Sequence, residues 1–400
     1  MSDGAAAAGY RGVLRLPHAR GVFAAALLGR LSLAMISLGL LLTVQRSTGS
    51  YAIAGAATAL FGVANVVIAP ARARLVDRRG PGRILIILAA GYAAGLLALA
   101  GLAGWAAPTW SLLAAAAVAG FCAPPLGAVM RGLWAVLAPD PATLSRAYSL
   151  DAVAEELLFV TGPLVVGAVV LVAPPAVTLL LGAGLAVGGA VGMTRSPAAA
   201  VAAAPVPVAP TSTRIRPLRQ AGFWPVLMAL FGVGVVLGTI EVVVPAFAQQ
   251  HHHVAAAGAL LALLSLGSAV GGLFHGHRTW SSTPVVRLLV FTAALVVASA
   301  TLVAAQQILL FALVLIVVGL FLAPALIVGY LLADQLVPAA ARTEASTWIT
   351  TASNAGAAAS AALVGYFVDR NGIAAALAVG TALAAACTAL GAIGIRMRNR

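Results

Sequence analysis

The chain has 400 residues, of which 62% are hydrophobic and only 8% are charged, and its mean hydropathy is +1.06. Soluble domains carry roughly 25% charged residues, so this composition excludes an ordinary soluble globular protein. The net charge of +13 does not indicate a nucleic-acid partner, because the basic residues separate apolar segments instead of clustering on one polar face. All 23 basic residues are arginines, and without lysine neither a P-loop nor a Schiff base can form.

Apolar segments of about 20 residues, long enough to cross a bilayer, recur along the whole chain. They predict six membrane-spanning helices at 21–45, 50–71, 83–105, 110–138, 145–172 and 174–193. Six more are predicted at 223–249, 254–275, 284–305, 307–333, 343–368 and 373–395. The first segment is too long for the core of a cleaved signal peptide, so we expect it to remain as a helix.

The arginines predict the orientation of these spans. If the N-terminus is cytoplasmic, 19 of the 23 arginines fall in cytoplasmic segments, and only Arg46 and Arg370 fall in outer loops. Because cytoplasmic loops of membrane proteins are enriched in Arg and Lys, both termini are predicted to be cytoplasmic. We therefore expect a multi-pass protein of a bacterial cytoplasmic membrane.

A weak internal repeat divides the chain in two. The segment "AGAATALFGVANVV" from Ala54 is similar to "AGALLALLSLGSAV" from Ala257, and Pro125 is matched by Pro324, in each case about 200 residues later. The predicted organisation is a cytoplasmic segment at 1–20, six-helix halves at 21–193 and 223–395, an Ala- and Pro-rich cytoplasmic linker at 194–222 and a cytoplasmic tail at 396–400. Parallel repeats of this kind are typical of transporters.

The stretch "ARARLVDRRGPGR", at 71–83, concentrates charge in an otherwise apolar region. It contains five arginines and Asp77, and it lies between the second and third predicted spans. We predict a short cytoplasmic turn here, which its arginines keep on the inner side of the membrane. Keeping the turn on the cytoplasmic side explains the arginines but not the single aspartate.

The two halves, the basic linker and this charged turn together resemble the major facilitator superfamily. The signature turn of that family reads roughly G-x-L-x-D-R-x-G-R-R, and the matching residues here are Leu75, Asp77, Arg78, Gly80 and, two positions late, Arg83, with Ala73 in place of the first glycine. The resemblance implies an all-α integral membrane fold of twelve transmembrane helices in two six-helix pseudo-repeat halves. It also implies that Asp77 latches the halves together at the cytoplasmic side, against the N-terminus of the eleventh span. The alternative is a merely solvated turn.

The fifth span carries a second resemblance, in "TGPLVVGA" at 161–168. Drug/proton antiporters of the superfamily have G-P-x-x-G-G at this place; Gly162 and Pro163 match, whereas Gly167 comes one position late. This resemblance implies export. The alternative is a helix kink with packing of small residues.

Five ionisable residues fall well inside the predicted spans: Arg30, Arg131, Glu155, Glu156 and Glu241. A charge at the middle of a bilayer costs about 2.5–3.5 kcal/mol, so we expect each to be paired, protonated or in contact with water. Arg131 and the two adjacent glutamates lie at similar depths, and we expect Arg131 to face one of them. The resemblance implies that an arginine in the fourth span takes part in proton coupling; a structural ion pair is the alternative.

Glu241 is isolated in the seventh span, which lines the central cavity in the superfamily that the chain resembles. It is a candidate carrier of a proton or of a cationic substrate, with Arg30 as its candidate partner; a hydrogen bond to a neighbouring helix is the alternative. Asn354 is related to Glu156 by the repeat and is its expected polar counterpart. The histidines 251–253 are expected in a solvated outer loop, without metal.

These observations predict a secondary active transporter that exports a small organic compound, coupled to protons, by alternating access. We expect no enzymatic activity, no cofactor and no metal, because no catalytic or nucleotide-binding motif occurs. The expected partners are a small-molecule substrate, protons and the lipid bilayer, and we expect a monomer. One alternative is an importer or facilitator of a sugar or metabolite with the same fold. Another is a membrane sensor that transports nothing, although no soluble output domain is evident.

Overall fold

The computed structural model describes residues 9–105, 107–198, 216–220, 222–251 and 256–398, and within these ranges the chain is helical, without strands. The helices are α1 (Tyr10–Arg15), α2 (Ala19–Thr48), α3 (Tyr51–Arg79), α4 (Pro81–Gly104), α5 (Thr109–Cys122), α6 (Leu126–Leu137), α7 (Pro141–Val172), α8 (Ala176–Arg195), α9 (Phe223–Gln250), α10 (Ala256–His277), α11 (Pro284–Ala300), α12 (Ile308–Leu336) and α13 (Arg342–Arg398). Short 3₁₀ turns occur at Pro217–Arg219, Thr301–Ala304 and Ala339–Ala341. The all-α prediction is confirmed.

Eleven helical segments of the described ranges are long and apolar enough to cross a membrane. The predicted eleventh span is not among them, because 343–368 is rich in small and polar residues. It forms the first part of α13, which continues through the predicted twelfth span. Gly372, with a φ of 80°, interrupts the helical backbone between the two, and the number of twelve spans remains a prediction.

The fourth predicted span, 110–138, is one of these segments, at Thr109–Leu137, but it is not a single helix. It consists of α5 and α6, which are separated at 123–125. Pro124 and Pro125 remove two consecutive backbone donors, and each proline clashes with helical geometry before it. Pro324, which the repeat matches to Pro125, stands inside the continuous α12, because a single proline in a long helix is tolerated more easily.

The charged turn is also shorter than predicted. α3 continues to Arg79 and α4 begins at Pro81, so most of 71–83 is helical and the turn is Gly80 alone. Gly80 has a φ of 78°, a left-handed value that glycine adopts without steric cost. Pro81 then occupies the first position of α4, where its missing N–H has no helical partner to lose.

Parts of two other predictions fall outside the described residues. Of the linker at 194–222, the residues 199–215 and 221 are not described. Of the three histidines, His252 and His253 are not described either. His251 packs its ring 4.2 Å from that of Phe247, and its two ring nitrogens lie 3.0 Å and 2.8 Å from the carbonyl oxygens of Phe247 and Gln306. His251 is therefore packed and hydrogen-bonded, not simply solvated as predicted.

The chain divides into two compact units. The unit that we call the N-terminal unit comprises Arg11–Pro139 and Leu157–Thr211, and the C-terminal unit comprises Met1–Tyr10, Asp140–Glu156 and Ser212–Arg400. The first half of α7 thus belongs to the C-terminal unit and its second half to the N-terminal unit. Such a division inside a helix has no signal in the hydropathy of the sequence.

Each unit is built on close helix pairs with glycine at the contact. In the N-terminal unit α2 packs on α8, and a Cβ placed on Gly189 would lie 2.5 Å from Cα of Gly29. In the C-terminal unit α9 packs on α13, and a Cβ placed on Gly238 would lie 2.1 Å from the carbonyl oxygen of Ala357. Lipid offers no hydrophobic drive for helix association, so close packing of small residues supplies the attraction instead.

Candidate functional site

Arg72 is a structural residue of the N-terminal unit and not part of a solvated turn. It is only 5% exposed, and its Nη1 donates to the carbonyl oxygens of Gly120 (2.7 Å) and Phe121 (3.0 Å). Its Nη2 donates to the backbone oxygen (2.8 Å) and the side-chain oxygen (2.6 Å) of Asn65. Because α5 ends at Cys122, its last carbonyl groups lack the N–H four residues later that a continuing helix would supply, and Arg72 donates to two of them from α3.

The other residues of the predicted latch lie at the end of α3 and the start of α4. Leu75 and Asp77 are half-buried, whereas Arg78 and Arg83 are exposed. Arg78 stands in the last turn of α3, where a positive charge is favourable next to the free carbonyl groups. The latch itself remains a prediction.

Arg30 and Arg131 converge in the N-terminal unit, on Gly127 in the first turn of α6. A Cβ placed on Gly127 would lie 3.5 Å from Nη1 of Arg131 and 3.6 Å from Nε of Arg30. Each arginine is only 5% exposed. Nearby, Phe23 of α2 packs against Trp134 of α6 with ring centroids 5.4 Å apart, which fixes these two helices to each other. Sequence reasoning had placed both arginines inside spans without predicting that they share one site.

The first half of α7 begins with a complete N-terminal cap. Asp140 Oδ1 accepts from the backbone N–H of Thr143 at 2.9 Å, and Oδ2 accepts from the Thr143 hydroxyl at 2.7 Å. The Thr143 hydroxyl and then its backbone N–H hold the pKa of the Asp140 carboxyl below its usual value. The cap determines where α7 starts, about four turns before Glu155 and Glu156.

Small residues of α10 allow this half of α7 to approach closely within the C-terminal unit. A Cβ placed on Gly276 would lie 2.4 Å from Oγ of Ser149, and one on Gly272 would lie 3.6 Å from a methyl group of Val153. Both helices thus meet along residues spaced by about one turn, which is the pattern of close-packed membrane helices.

Glu156 is the next residue of α7 along this contact. Ser268, fully buried, donates its hydroxyl to Oε1 of Glu156 at 2.9 Å. Ser265, one turn earlier on α10, lies near the same carboxyl group. Because adjacent residues point about 100° apart on a helix, Glu155 has a different direction from Glu156, and it is half-buried. The pairing of Arg131 with a glutamate remains a prediction.

A tyrosine–carboxylate network in the C-terminal unit was missed by sequence reasoning. The hydroxyl of Tyr148 in α7 donates to Oδ2 of Asp334 in α12. The ring of Tyr148 meets that of Tyr330 edge to face at 6.2 Å, and the Tyr330 hydroxyl lies 3.1 Å from Oγ1 of Thr350 in α13. The signal that could have found it is the repeat, because the offset between Pro125 and Pro324 also relates Arg131 to Tyr330.

Glu241 and Asn354, in contrast, are exposed. Glu241 stands in α9 about one turn after Gly238, which packs against α13. Within the described ranges no hydrogen bond or ion pair reaches its carboxyl group. Asn354 follows Ser353, whose carbonyl oxygen lies 1.8 Å from a Cβ placed on Gly234. The pairing of Glu241 with Arg30 remains a prediction.

The glycines of the antiporter-like segment have different surroundings. α7 continues through Pro163. A Cβ placed on Gly162 would lie 2.7 Å from the backbone carbon and from Cβ of Ala34 in α2, whereas no atom lies within 4 Å of one placed on Gly167. Gly162 is therefore required for helix contact in the N-terminal unit, and Gly167 is not. The predicted kink remains a prediction.

Eleven long apolar helical segments among the described residues, some of which carry arginine or glutamate side chains, indicate a multi-pass membrane protein, and ionisable side chains in such segments are typical of transporters. The chain belongs to the Major Facilitator Superfamily, whose sequence model matches residues 22–361. The resemblance predicted from the sequence is therefore confirmed.

Relatives and solved structures agree with this assignment. The chain is 30% identical over 290 residues to the MFS-type transporter y4rN of Sinorhizobium fredii (strain NBRC 101917 / NGR234). The aligned residues make up 67% of this chain and 68% of that protein. It is similar in fold to a bacterial homologue of the iron transporter ferroportin in an outward-facing state, with a TM-score of 0.76, 12% identity and coverage of 95% and 99% of the two chains. It is also similar to the human organic anion transporter MFSD10 (TETRAN), with a TM-score of 0.71, 15% identity and coverage of 93% and 98%. At these identities the solved structures indicate a shared fold.

Proposed function

We propose that this protein is a secondary active transporter that exports a small organic compound in exchange for protons, by alternating access. The observation that carries the proposal is the hydrogen bond between Ser268 and Glu156. A carboxyl group inside an apolar helix is costly when charged and unpaired, so its protonation state depends on the groups around it. Such intramembrane carboxyl groups commonly form proton relays.

The serine partners suit a group that takes up and releases a proton. A hydroxyl can donate to a carboxylate and can also accept from a protonated carboxyl group. Ser268 and Ser265 can therefore satisfy Glu156 in both states, provided that the hydroxyl hydrogen rotates. No rearrangement of α10 is needed between them.

The other charged and polar residues singled out in the sequence also have proposed roles. We assign Glu155 as the partner of Arg131, because Glu156 is engaged with α10. We further propose Arg30, Arg131, Glu241 and Asn354 as residues that take part in transport or proton coupling. We further propose that the Asp77 latch stabilises one of the two access states, that the chain has twelve spans with both termini cytoplasmic, and that it acts as a monomer in the cytoplasmic membrane of a bacterium.

The test begins with a bacterial strain that lacks its major efflux pumps, grown across a panel of toxic compounds with and without the protein. Export predicts resistance together with lowered accumulation of at least one compound. That compound, added to inverted vesicles, should then dissipate an imposed pH gradient. Glu156→Gln should lose this response, whereas Asp140→Asn, which changes a carboxyl group outside the apolar segments, should retain it. Increased uptake of the compound would support an importer and overturn the proposal.

A further inference from the structure

The segment between α10 and α11 carries Trp280 in a fixed orientation. The indole N–H donates to the backbone oxygen of His275 at 3.0 Å. The indole also stacks on the ring of His275, with centroids 5.3 Å apart and an angle of 26° between the planes. Phe291 of α11 meets both rings with its edge, each at 5.6 Å. The tryptophan is thus held by contacts from both helices.

Two arginines flank this one indole. The guanidinium carbon of Arg278 lies 5.1 Å from the centroid of the Trp280 ring, and that of Arg287 lies 5.9 Å from it. Arg287 also donates from Nη1 to Nε2 of His275 at 3.4 Å, while its Nε is buried without a hydrogen-bond partner. Cation–π attraction holds each guanidinium near the ring but does not neutralise either charge.

Within the described part of the chain, these two cations are not paired with a carboxylate. In the residues that the structure describes, neither Arg278 nor Arg287 forms an ion pair. Two positive charges thus lie within 6 Å of one ring centroid, with at least one donor unused. Such an arrangement is favourable for an anion that can accept several hydrogen bonds in one plane, as a phosphate group does with arginine.

The position of the cluster indicates the source of that phosphate. It lies where two helices long and apolar enough to cross the membrane end and begin, at the depth where tryptophan is enriched in membrane proteins. Next to it, Phe274, Val286 and Val290 are 59%, 49% and 56% exposed, respectively. These side chains offer an apolar surface directly beside the two cations, as an acyl chain below a headgroup requires.

We propose that Arg278, Arg287 and Trp280 form a binding site for the phosphate group of an anionic lipid. The guanidinium groups bind the phosphate, the indole holds them apart, and the acyl chains lie along the exposed residues of α10 and α11. Free inorganic phosphate shares the headgroup chemistry but not the acyl chains. The site is separate from Glu156 and Arg131, and it stands whether or not the protein couples transport to protons.

The test is the binding of lipid to the purified full-length protein after removal of native lipid in a non-ionic detergent. Native mass spectrometry would count bound phosphatidylglycerol, with phosphatidylcholine and inorganic phosphate as separate arms. The variants are Arg278→Gln, Arg287→Gln and both together. The control is Arg219→Gln, which removes the same charge from an exposed arginine in the Pro217–Arg219 turn.

We expect each single variant to bind phosphatidylglycerol about fivefold more weakly, and the double variant about thirtyfold, while Arg219→Gln changes little. Phosphatidylcholine should bind the wild type more weakly than phosphatidylglycerol. Arg278→Gln decides the question if the double variant does not fold, because Arg278 is exposed and its guanidinium lies over the Trp280 ring. Unchanged lipid binding in Arg278→Gln would overturn the site. Tighter binding of inorganic phosphate than of phosphatidylglycerol would overturn the lipid as its ligand.

Discussion

Ser268 of α10 donates a 2.9 Å hydrogen bond to the carboxyl group of Glu156 in α7. The two helices approach because glycines of α10 face Ser149 and Val153, which precede Glu156 along the same side of α7. A charge-bearing group in an apolar segment is thereby given a polar partner that is itself fully buried. The first prediction concerns this bond.

Replacing Ser268 by alanine should reduce proton-driven transport severalfold while leaving expression unchanged. A hydrogen bond to a charged group contributes about 1.5–3 kcal/mol, and its loss alters the balance between the two protonation states of Glu156. Initial rates in vesicles under an imposed pH gradient measure the effect. The matched control is Ser299→Ala, since the Ser299 hydroxyl donates only to Val296 within its own helix. Equal rates for the two variants would contradict a role of Ser268.

Replacing Arg131 by alanine should abolish transport, because it leaves a carboxylate in the membrane without its counter-charge, at a cost of about 3–5 kcal/mol. A double-mutant cycle of transport rate and stability should show coupling of Arg131 with Glu155 and little with Glu156. A double variant with the two charges exchanged, Arg131→Glu together with Glu155→Arg, should recover the expression that the single variant loses. Coupling to neither glutamate would show that the proposed pairing is wrong.

Asp77→Asn should leave the protein inserted and folded but slow the transport cycle. Asp77 is half-buried at the end of α3, so the amide preserves its size while it removes the negative charge that a helix N-terminus attracts. Turnover in vesicles, normalised to the amount of protein, is the readout. Asp140→Asn provides a second loss of one negative charge, outside the latch. Normal turnover in Asp77→Asn would exclude the latch.

Arg72→Gln should lower the free energy of unfolding in detergent by about 3 kcal/mol, since Arg72 provides several charged hydrogen bonds that join α3 to the end of α5 and to Asn65. Arg79→Gln, an exposed arginine seven positions later in the same helix, should change it by less than about 0.5 kcal/mol. Thermal and chemical unfolding of both variants measure the difference. If Arg72→Gln and Arg79→Gln were equally stable, Arg72 would serve only to keep the turn at the inner membrane surface.

Glu241→Gln should keep the binding of neutral substrates and remove the dependence of transport on the pH gradient. Glutamine has the size and the hydrogen-bonding capacity of the protonated acid but cannot release a proton. Uphill accumulation in vesicles, with and without the gradient, separates the two effects. Full gradient-driven accumulation in this variant would exclude Glu241 as a second coupling group beside Glu156.

The sequence by itself determined the class and most of the elements. Long apolar segments without lysine or catalytic motifs define a membrane protein, because the length of a spanning helix follows from the thickness of the bilayer. The charged stretch before Gly80 predicted the family, since that motif consists of residue types at fixed spacing. Gly80 and Pro81 also locate the break between α3 and α4, because their backbone preferences are local.

Only the tertiary structure decided which polar residues meet. In the sequence, Arg72 looks like any other arginine on the cytoplasmic side. The structure shows that it is buried and donates to carbonyl oxygens at the end of α5, just before the two consecutive prolines. Likewise, the residues Glu155 and Glu156 are alike in the sequence, and the packing of α7 on α10 distinguishes them. Asp334 lay unnoticed at the end of a predicted span until Tyr148 was found beside it. Hydropathy and spacing report the environment of one segment at a time, whereas these contacts depend on the rotation and crossing of two helices, which close packing of distant residues determines.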